Sequence, residues 1–254
     1  MLNFAANLSF LYPELPFAAR FEAAARAGFR GCEFLFPYDY APDEVARWVH
    51  DAGLTLALFN LYPGDWSRGD RGLAAIPGQE DAFRRSVDQA LEYAGATGCK
   101  RLHILAGCPS EDQIELSRDV YLANLEYAAR VGHNESLTCL IEPINPIDMP
   151  GYFLNDFDTA LGIIKEIGAP NLRLQFDCYH AAMLGRDVIK EMSRAYDQIG
   201  HIQIAGCPGR HEPDVGIQDY GAIFQWLTAA GYSEWVGCEY HPIGDTDAGL
   251  KWRA

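Results

Sequence analysis

The chain has 254 residues, 49% of them hydrophobic, and a formal net charge of −15, so we expect neither nucleic acid nor an anionic membrane surface as a partner. Its seven cysteines are scattered and form no C-x-x-C pair, which argues against a disulfide framework or a zinc knuckle. The sequence shows neither a secretory leader pattern nor an apolar run of about 20 residues, and we expect a cytoplasmic protein that is not membrane-spanning.

Short apolar runs alternate with longer helical patterns along the whole chain. The predicted strands cover residues 3–8, 31–36, 54–60, 100–105, 138–142, 172–177, 200–205 and 235–239. The helical patterns between them include Phe17–Ala27, Asp43–Ala52, Glu80–Thr97, Asp112–Val131 and Phe157–Ile167. Eight such units predict an α/β fold, the (β/α)8 TIM barrel, as a single domain over residues 1–254. A doubly wound open sheet is the alternative, but no G-x-G-x-x-G follows the first strand.

The fifth to eighth predicted strands each carry an oxygen-bearing side chain at or near the carboxyl end. These side chains are Glu142, Asp177, Gln203 and Glu239. In a TIM barrel such ends meet in one cup, where three carboxylates would repel one another unless a cation neutralised them. Oxygen ligands without cysteine favour Mg²⁺ or Mn²⁺ over zinc, so we predict one divalent cation. Taken alone, each residue could instead cap its strand or pair with an arginine.

Other polar residues near this cup are candidate substrate ligands. His180 follows Asp177 by three residues and could donate a hydrogen bond to a substrate oxygen, while Arg210 could hold an anionic group. A structural histidine and a solvated loop charge are the respective alternatives. His103, in the fourth strand, is predicted to be a buried interior histidine.

The longest connection, Tyr62–Gln79 after the third strand, is predicted to be an active-site lid. We include its Trp66 and Arg71 among the candidate substrate-binding residues, although Trp66 could equally pack in the lid without touching a ligand. Asn7, on the first strand, is a further candidate, and Glu33 on the second strand is expected to line the pocket.

These residues lie in segments that resemble one known family over nearly the whole chain: the hydroxypyruvate isomerase branch of the xylose-isomerase-like TIM barrels. That branch includes 2-oxo-tetronate isomerases and, more distantly, ketose 3-epimerases. The segments are Ala6-Asn-Leu-Ser9, Glu33-Phe-Leu-Phe-Pro37, Leu58-Phe-Asn-Leu61, Pro63-Gly-Asp-Trp66, Ile141-Glu-Pro-Ile-Asn-Pro146, Met149-Pro-Gly-Tyr-Phe-Leu154, Asp177-Cys-Tyr-His180, His201-Ile-Gln-Ile204, Pro208-Gly-Arg-His-Glu-Pro213 and Gly237-Cys-Glu-Tyr240.

The resemblance implies roles for particular residues. Glu142 and Glu239 would be the acid/base pair and, with Asp177 and Gln203, the metal ligands. His180 and Arg210 would bind substrate. The chain departs from the family pattern at Gly206, where an acidic residue is usual, at Ala181-Ala182, and at Asp214-Val-Gly-Ile217, where Gly-Thr-Gly-Glu is usual.

The predicted function is therefore isomerisation of a small hydroxy-oxo acid, with hydroxypyruvate converted to tartronate semialdehyde by enediol proton transfer. A hydride shift is the mechanistic alternative. Other readings of the same site are a 2-oxo-tetronate isomerase, a ketose 3-epimerase, a sugar dehydratase or a non-catalytic barrel that binds a sugar acid. A DNA-repair nuclease would be expected to add several histidine ligands and a basic face. A homodimer is compatible with an acidic barrel of this size.

Overall fold

The computed structural model describes residues 2–253 and contains eight parallel strands that close into one barrel in chain order. The strands are β1 Asn3–Asn7, β2 Gly31–Phe34, β3 Thr55–Asn60, β4 Arg101–His103, β5 Thr138–Ile141, β6 Leu172–Asp177, β7 Ile199–Ile204 and β8 Trp235–Cys238. The barrel closes where β1 pairs with β8, with Asn3 opposite Trp235 and Ala6 opposite Cys238. The predicted TIM barrel is confirmed.

Helices follow the strands and cover the outside of the barrel. They are α1 Phe17–Arg26, α2 Pro42–Asp51, α3 Glu80–Thr97, α4 Ile114–Asn134, α5 Phe157–Ile167, α6 Cys178–Met183, α7 Val188–Ala195 and α8 Tyr220–Ala229. Local signals set their ends, as in α5: the Asp156 side chain accepts a hydrogen bond from the Thr159 amide at 2.9 Å, and Gly168 ends the helix at a φ of 65°.

Three predicted elements differ from the structure by two or three residues at one or both ends, and the first of them is the second strand, which ends at Phe34 rather than at residue 36. The fourth strand ends at His103 rather than at residue 105, because the Leu105 and Ala106 carbonyls accept hydrogen bonds from the long connection after β3 instead of from β5. The fourth helix begins at Ile114 and continues to Asn134, because residues 111–113 form a separate short 3-10 turn.

The apolar core lies between the barrel and its helices, whereas the barrel interior becomes polar towards the carboxyl ends of the strands. An aromatic cluster typical of the outer layer includes Phe21 from α1 and Phe34 from β2, with ring centroids 6.0 Å apart. Within the barrel the polar side chains of Glu33, Gln175 and His201 are buried. Across residues 2–253, none of the helices combines the length and the apolarity that a bilayer crossing needs.

We predict that the Tyr220 hydroxyl stabilises the end of β7. It donates to the Ala205 carbonyl at 2.7 Å and accepts from the Ala205 amide at 3.1 Å, and all these atoms are buried. Tyr220→Phe leaves both backbone groups unpaired and should lower the free energy of unfolding by about 1–3 kcal/mol in a urea titration. Tyr62→Phe, at an exposed side chain, is the control and should change it by less than about 0.5 kcal/mol. Equal stabilities of the two variants would contradict this role.

Candidate active site

The structure brings the four predicted metal ligands into one buried cluster. Glu142 follows β5, Asp177 closes β6, Gln203 lies in β7 and Glu239 follows β8. The Gln203 Nε2 atom donates to Glu239 Oε2 at 2.5 Å. Gln175 joins the other side of the cluster, since its Nε2 atom donates to Gln203 Oε1 at 2.7 Å and to Glu142 Oε2 at 2.9 Å. These side chains therefore share one environment at the mouth of the barrel.

Arg210 brings a positive charge into this cluster. Its Nη2 atom donates to Glu239 Oε1 at 2.5 Å and to Asp177 Oδ2 at 3.1 Å. The guanidinium also lies over the Tyr179 ring, 5.0 Å from its centroid. Arg210 thus faces the cup, and one of its nitrogen atoms contacts two of the predicted ligands.

The loop that carries Arg210 contains two of the departures from the family pattern, and they form one packing unit. A Cβ atom on Gly206 would lie 1.9 Å from the Val215 carbonyl oxygen, and one on Gly216 would lie 2.3 Å from the Cys207 carbonyl oxygen. Segment 214–217 therefore packs directly on the backbone at Gly206 and leaves no room for a side chain there. Arg210 itself has a φ of 55°, a conformation that this tightly packed loop imposes on it.

Burial is the main influence on the ionisation of these carboxyl groups. It raises the pKa of Glu142 well above the usual value, and repulsion from Asp177 and Glu239 raises it further. Burial also raises the pKa of Asp177, against the opposing attraction of Arg210. The pKa of Glu239 is raised by burial to about 8, again despite Arg210. One guanidinium therefore leaves the cluster short of positive charge.

Two of the predicted ligands, Glu142 and Asp177, are spaced with His180 to fit a divalent cation. Within residues 2–253, the buried Glu142 Oε1 atom has no hydrogen-bond partner. Ligand atoms of Glu142, Asp177 and His180 all lie within 4.8 Å of one another. Two carboxylates and an imidazole nitrogen at this spacing can converge on one ion. His180 is thus a geometric candidate for a ligand, a role that the sequence did not suggest for it.

The imidazole of His180 is oriented towards the carboxylates. Its Nε2 atom lies 3.7 Å from Glu142 Oε1 and 3.6 Å from Asp177 Oδ2. On the other side of the ring, the Asn145 Nδ2 atom donates to Nδ1 at 2.7 Å. The Asn145 side-chain amide is held in this orientation because its Oδ1 atom accepts hydrogen bonds from two backbone amides. Burial lowers the pKa of His180 well below its usual value. A neutral ring with its hydrogen on Nε2 can donate to a ligand in the cup.

Glu33 anchors a second polar layer beneath the cluster. Its carboxylate accepts hydrogen bonds from Asn7 Nδ2 at 3.0 Å, from Gln203 Nε2 at 2.8 Å and from His201 Nε2 at 2.7 Å. Gly237 in β8 leaves room for this carboxylate, because a Cβ atom there would lie 2.3 Å from Glu33 Oε1. Glu33 thereby fixes the orientation of the Gln203 amide and directs its oxygen away from the second layer.

Asn7 belongs to the same network. Its Nδ2 atom also donates to Glu239 Oε2 at 2.8 Å, so it contacts a predicted catalytic residue directly. Glu33 was expected only to line the pocket, and it is not among the residues that line the cavity; no role was predicted for His201. Their only signal was position, since both occupy inward-facing strand positions and His201 lies two residues before Gln203 in β7.

A cavity of about 170 Å³ opens above the cluster. It is lined by Phe10, Leu35, Phe36, Asn60, Trp66, His103, Leu105, Glu142, Ile144, Asp148, Met149, Gln175, His180, Arg210 and Glu239. Of the predicted substrate-binding residues, His180, Arg210 and Trp66 thus line the cavity. The sequence analysis did not assign His103 or Gln175 to it.

The predicted lid places Trp66 and Arg71 differently. Trp66 lines the cavity, is 39% exposed and packs against Phe36, with ring centroids 5.3 Å apart. Arg71 is not among the lining residues; its guanidinium stacks over the Trp66 ring at 4.1 Å and donates to the Trp66 and Asp70 carbonyls. In this conformation Arg71 supports Trp66.

The raised pKa of Glu239 predicts a pH dependence of stability. A carboxyl that binds its proton more tightly in the folded chain contributes stability at low pH and loses that contribution as the pH rises towards the folded-state value. In EDTA, the free energy of unfolding should therefore fall between about pH 5 and pH 8, and Glu239→Gln should make this slope shallower. Urea titrations across this range measure the slope. The exposed control Glu135→Gln should keep the wild-type slope, and an unchanged slope in Glu239→Gln would contradict the assignment.

Comparisons with known proteins agree with this architecture. A family model described as xylose isomerase-like TIM barrel matches residues 21–254. The 2-oxo-tetronate isomerase of Cupriavidus necator is 51% identical over 99% of this chain and 97% of its own length. The hydroxypyruvate isomerase of Escherichia coli is 44% identical over 99% of this chain and 98% of its own length.

A solved structure from Brucella melitensis, described as an AP endonuclease of family 2, is also similar. It is 44% identical, with a TM-score of 0.97 over 99% of this chain and 98% of that chain. No role on DNA is carried over from that description, because a net charge of −15 opposes binding to a phosphate backbone. By fold and by full-length identity to these relatives, the chain is an isomerase of the hydroxypyruvate isomerase family within the xylose isomerase-like TIM barrels.

Proposed function

We propose that the protein is a metal-dependent isomerase that moves the carbonyl group of a small hydroxy-oxo acid by one carbon. The observation that carries this proposal is that the buried Glu142 and Glu239 line one small cavity with Arg210. The buried Asp177 joins them through its hydrogen bond from the Arg210 guanidinium. Such a cluster combines a need for a cation with groups able to move protons, and it does so where a ligand can enter.

Glu142, Asp177, Gln203 and Glu239 are the proposed ligands of Mg²⁺ or Mn²⁺. A hard divalent cation among them would offset the loss of solvation that chiefly raises the carboxyl pKa values, and the repulsion that adds to it. When bound, it supplies a positive charge that stabilises an enediolate and so acidifies the hydrogen on the neighbouring carbon. Glu33 supports this role of Gln203, because Glu33 and Glu239 accept hydrogen bonds from its amide nitrogen and so orient its amide oxygen. That oxygen accepts from Gln175 Nε2 at 2.7 Å, a hydrogen bond that a bound cation would share or replace.

Arg210 and His180 are proposed to hold the substrate's carboxylate. Three carboxylates and one divalent cation leave a net charge near −1, which would repel an acid unless Arg210 compensated. His180 adds an N–H donor that faces the same space. A neutral ketose would not need this guanidinium, so the site supports an acid substrate better than it supports ketose epimerisation.

Glu142 and Glu239 are proposed to carry the proton. Both line the cavity, and they follow different strands, β5 and β8, so a substrate in the cavity can contact both carboxyl groups. One glutamate removes the hydrogen from the hydroxyl-bearing carbon, and a proton returns to the adjacent former carbonyl carbon. Transfer of a proton between the two oxygens completes the isomerisation without an external oxidant or reductant.

Two substrates fit this chemistry. Hydroxypyruvate would give tartronate semialdehyde, which is the reaction predicted from the sequence. A 2-oxo-tetronate is the second candidate, and the 51% identity to a relative named for that substrate favours it. For the location of the enzyme, we infer a reducing cytoplasm, since all seven cysteines are free thiols and six of them are buried.

A turnover screen tests the proposal. Hydroxypyruvate, 2-oxo-tetronates and simple ketoses are incubated with the protein plus Mg²⁺, Mn²⁺ or EDTA, in normal and deuterated water. We expect turnover of at least one acid, its loss in EDTA and its return with metal. We also expect deuterium in the product, because the carbon-bound proton exchanges with solvent during enediol transfer. Glu239→Gln should reduce kcat by at least about 100-fold.

The matched control is Glu135→Gln, which removes an exposed glutamate on the outer surface and should keep wild-type turnover. Unchanged turnover of Glu239→Gln would remove that residue from the mechanism. Full activity in EDTA would contradict the metal requirement, and complete retention of the original hydrogen would replace proton transfer with a hydride shift.

A further inference from the structure

The cavity has a wall that the proposed chemistry leaves unused. It is formed by β3 and β4, which lie across the barrel from β7 and β8, where Arg210 and Glu239 are held. On this wall, Asn60 and His103 are paired in register on adjacent strands, and both line the cavity. Apolar side chains also line the cavity, namely Leu35, Phe36, Leu105, Ile144 and Met149, and the nearest polar group to His103 is the Glu142 carboxylate. Two adjacent polar side chains in such a wall call for a polar partner.

The His103 ring lacks that partner in the protein. The side chain is only 2% exposed, and within residues 2–253 its Nε2 atom has no hydrogen-bond partner. Glu142 Oε2 lies 3.6 Å away, beyond hydrogen-bonding distance, and already accepts from Gln175 Nε2. Buried polar atoms are nearly always paired, so an unpaired one that faces a ligand cavity points to a group on the ligand.

The chain length of the substrate decides whether such a group exists. With the carboxylate at Arg210 and the two reacting carbons between Glu142 and Glu239, the far end of the molecule extends towards β3 and β4. Hydroxypyruvate ends at its second reacting carbon. A four-carbon 2-oxo acid carries one more group there, a hydroxymethyl, whose oxygen can both accept and donate a hydrogen bond.

We propose that His103 and Asn60 form a binding subsite for the terminal hydroxymethyl group of a four-carbon 2-oxo acid, and that this subsite makes the enzyme prefer four-carbon to three-carbon substrates. The inference rests on the proposed function, because it takes the carboxylate and the reacting carbons to be placed as described there. It adds a specificity-determining pair on the opposite side of the cavity.

A merely structural role for His103 predicts a different result. If the ring only oriented Glu142, its loss would slow every substrate to the same extent. Loss of a subsite instead affects the two substrates unequally. In the variant, the hydroxymethyl group of the four-carbon substrate loses its partner, whereas hydroxypyruvate has no such group. The ratio of kcat/KM for a 2-oxo-tetronate over kcat/KM for hydroxypyruvate therefore separates the two roles.

The experiment compares this ratio in the holoenzyme and four variants. His103→Leu should lower it at least about tenfold, and Asn60→Ala should lower it in the same direction. His103→Gln restores an N–H donor and should recover part of the ratio. His133→Leu removes an exposed histidine on α4 as the matched control and should keep the wild-type ratio. If His103→Leu does not fold, as shown by circular dichroism, Asn60→Ala carries the test.

Binding provides a readout that does not need turnover. Calorimetry with the non-reacting four-carbon acids erythronate and threonate, and with three-carbon glycerate, should show that His103→Leu weakens four-carbon binding selectively. An unchanged ratio in both measurements, or an equal loss on both chain lengths, overturns the subsite. If wild-type protein turned over no acid, the proposed function would fail. The calorimetry would then still decide on the subsite: tighter binding of the four-carbon acids would support it, and equal binding of four-carbon and three-carbon acids would overturn it.

Discussion

Burying three carboxylates at the mouth of one barrel is the constraint on which the rest of this site depends. In water each would be solvated independently, but in the cup the loss of that solvation raises all three pKa values, and the charge of Asp177 further raises those of Glu142 and Glu239. Arg210 offsets part of this cost and contacts two of them. A divalent cation among the same oxygens would offset the remainder. The burial of like charges that costs stability is therefore the feature that would bind the metal and acidify the substrate.

The barrel holds this cluster in place through a supporting layer rather than through the ligands alone. The Glu33 carboxylate accepts a hydrogen bond from the Gln203 amide and fixes its orientation. Gly237 in β8 provides the space that this carboxylate occupies. The loop bearing Arg210 is held against the barrel by backbone contacts at Gly206. Rigid support of this kind matters because small displacements of positioned groups have large effects on proton transfer.

The sequence predicted the barrel and the convergence of four oxygen-bearing side chains because both follow from strand periodicity, and the ends of parallel strands must meet. It did not predict the roles of Glu33, His103 and Gln175, since an inward-facing polar residue in a strand acquires its meaning from neighbours on other strands. The sequence also did not predict where the Arg71 side chain lies, because a long connection has no periodicity from which side-chain directions can be read. Local sequence patterns were enough to predict the strands and helices. The polar layer around Glu33 depends instead on contacts between side chains of different strands.

The central claim is that one cation binds within the carboxylate cluster, and anomalous X-ray scattering from crystals soaked in Mn²⁺ tests it most directly. The account predicts a single strong peak contacted by Glu142, Asp177, Gln203 and Glu239. A peak contacted by Glu142, Asp177 and His180 without Glu239 would contradict the proposed ligand set. The absence of any peak in the cup at saturating Mn²⁺ would contradict the claim itself.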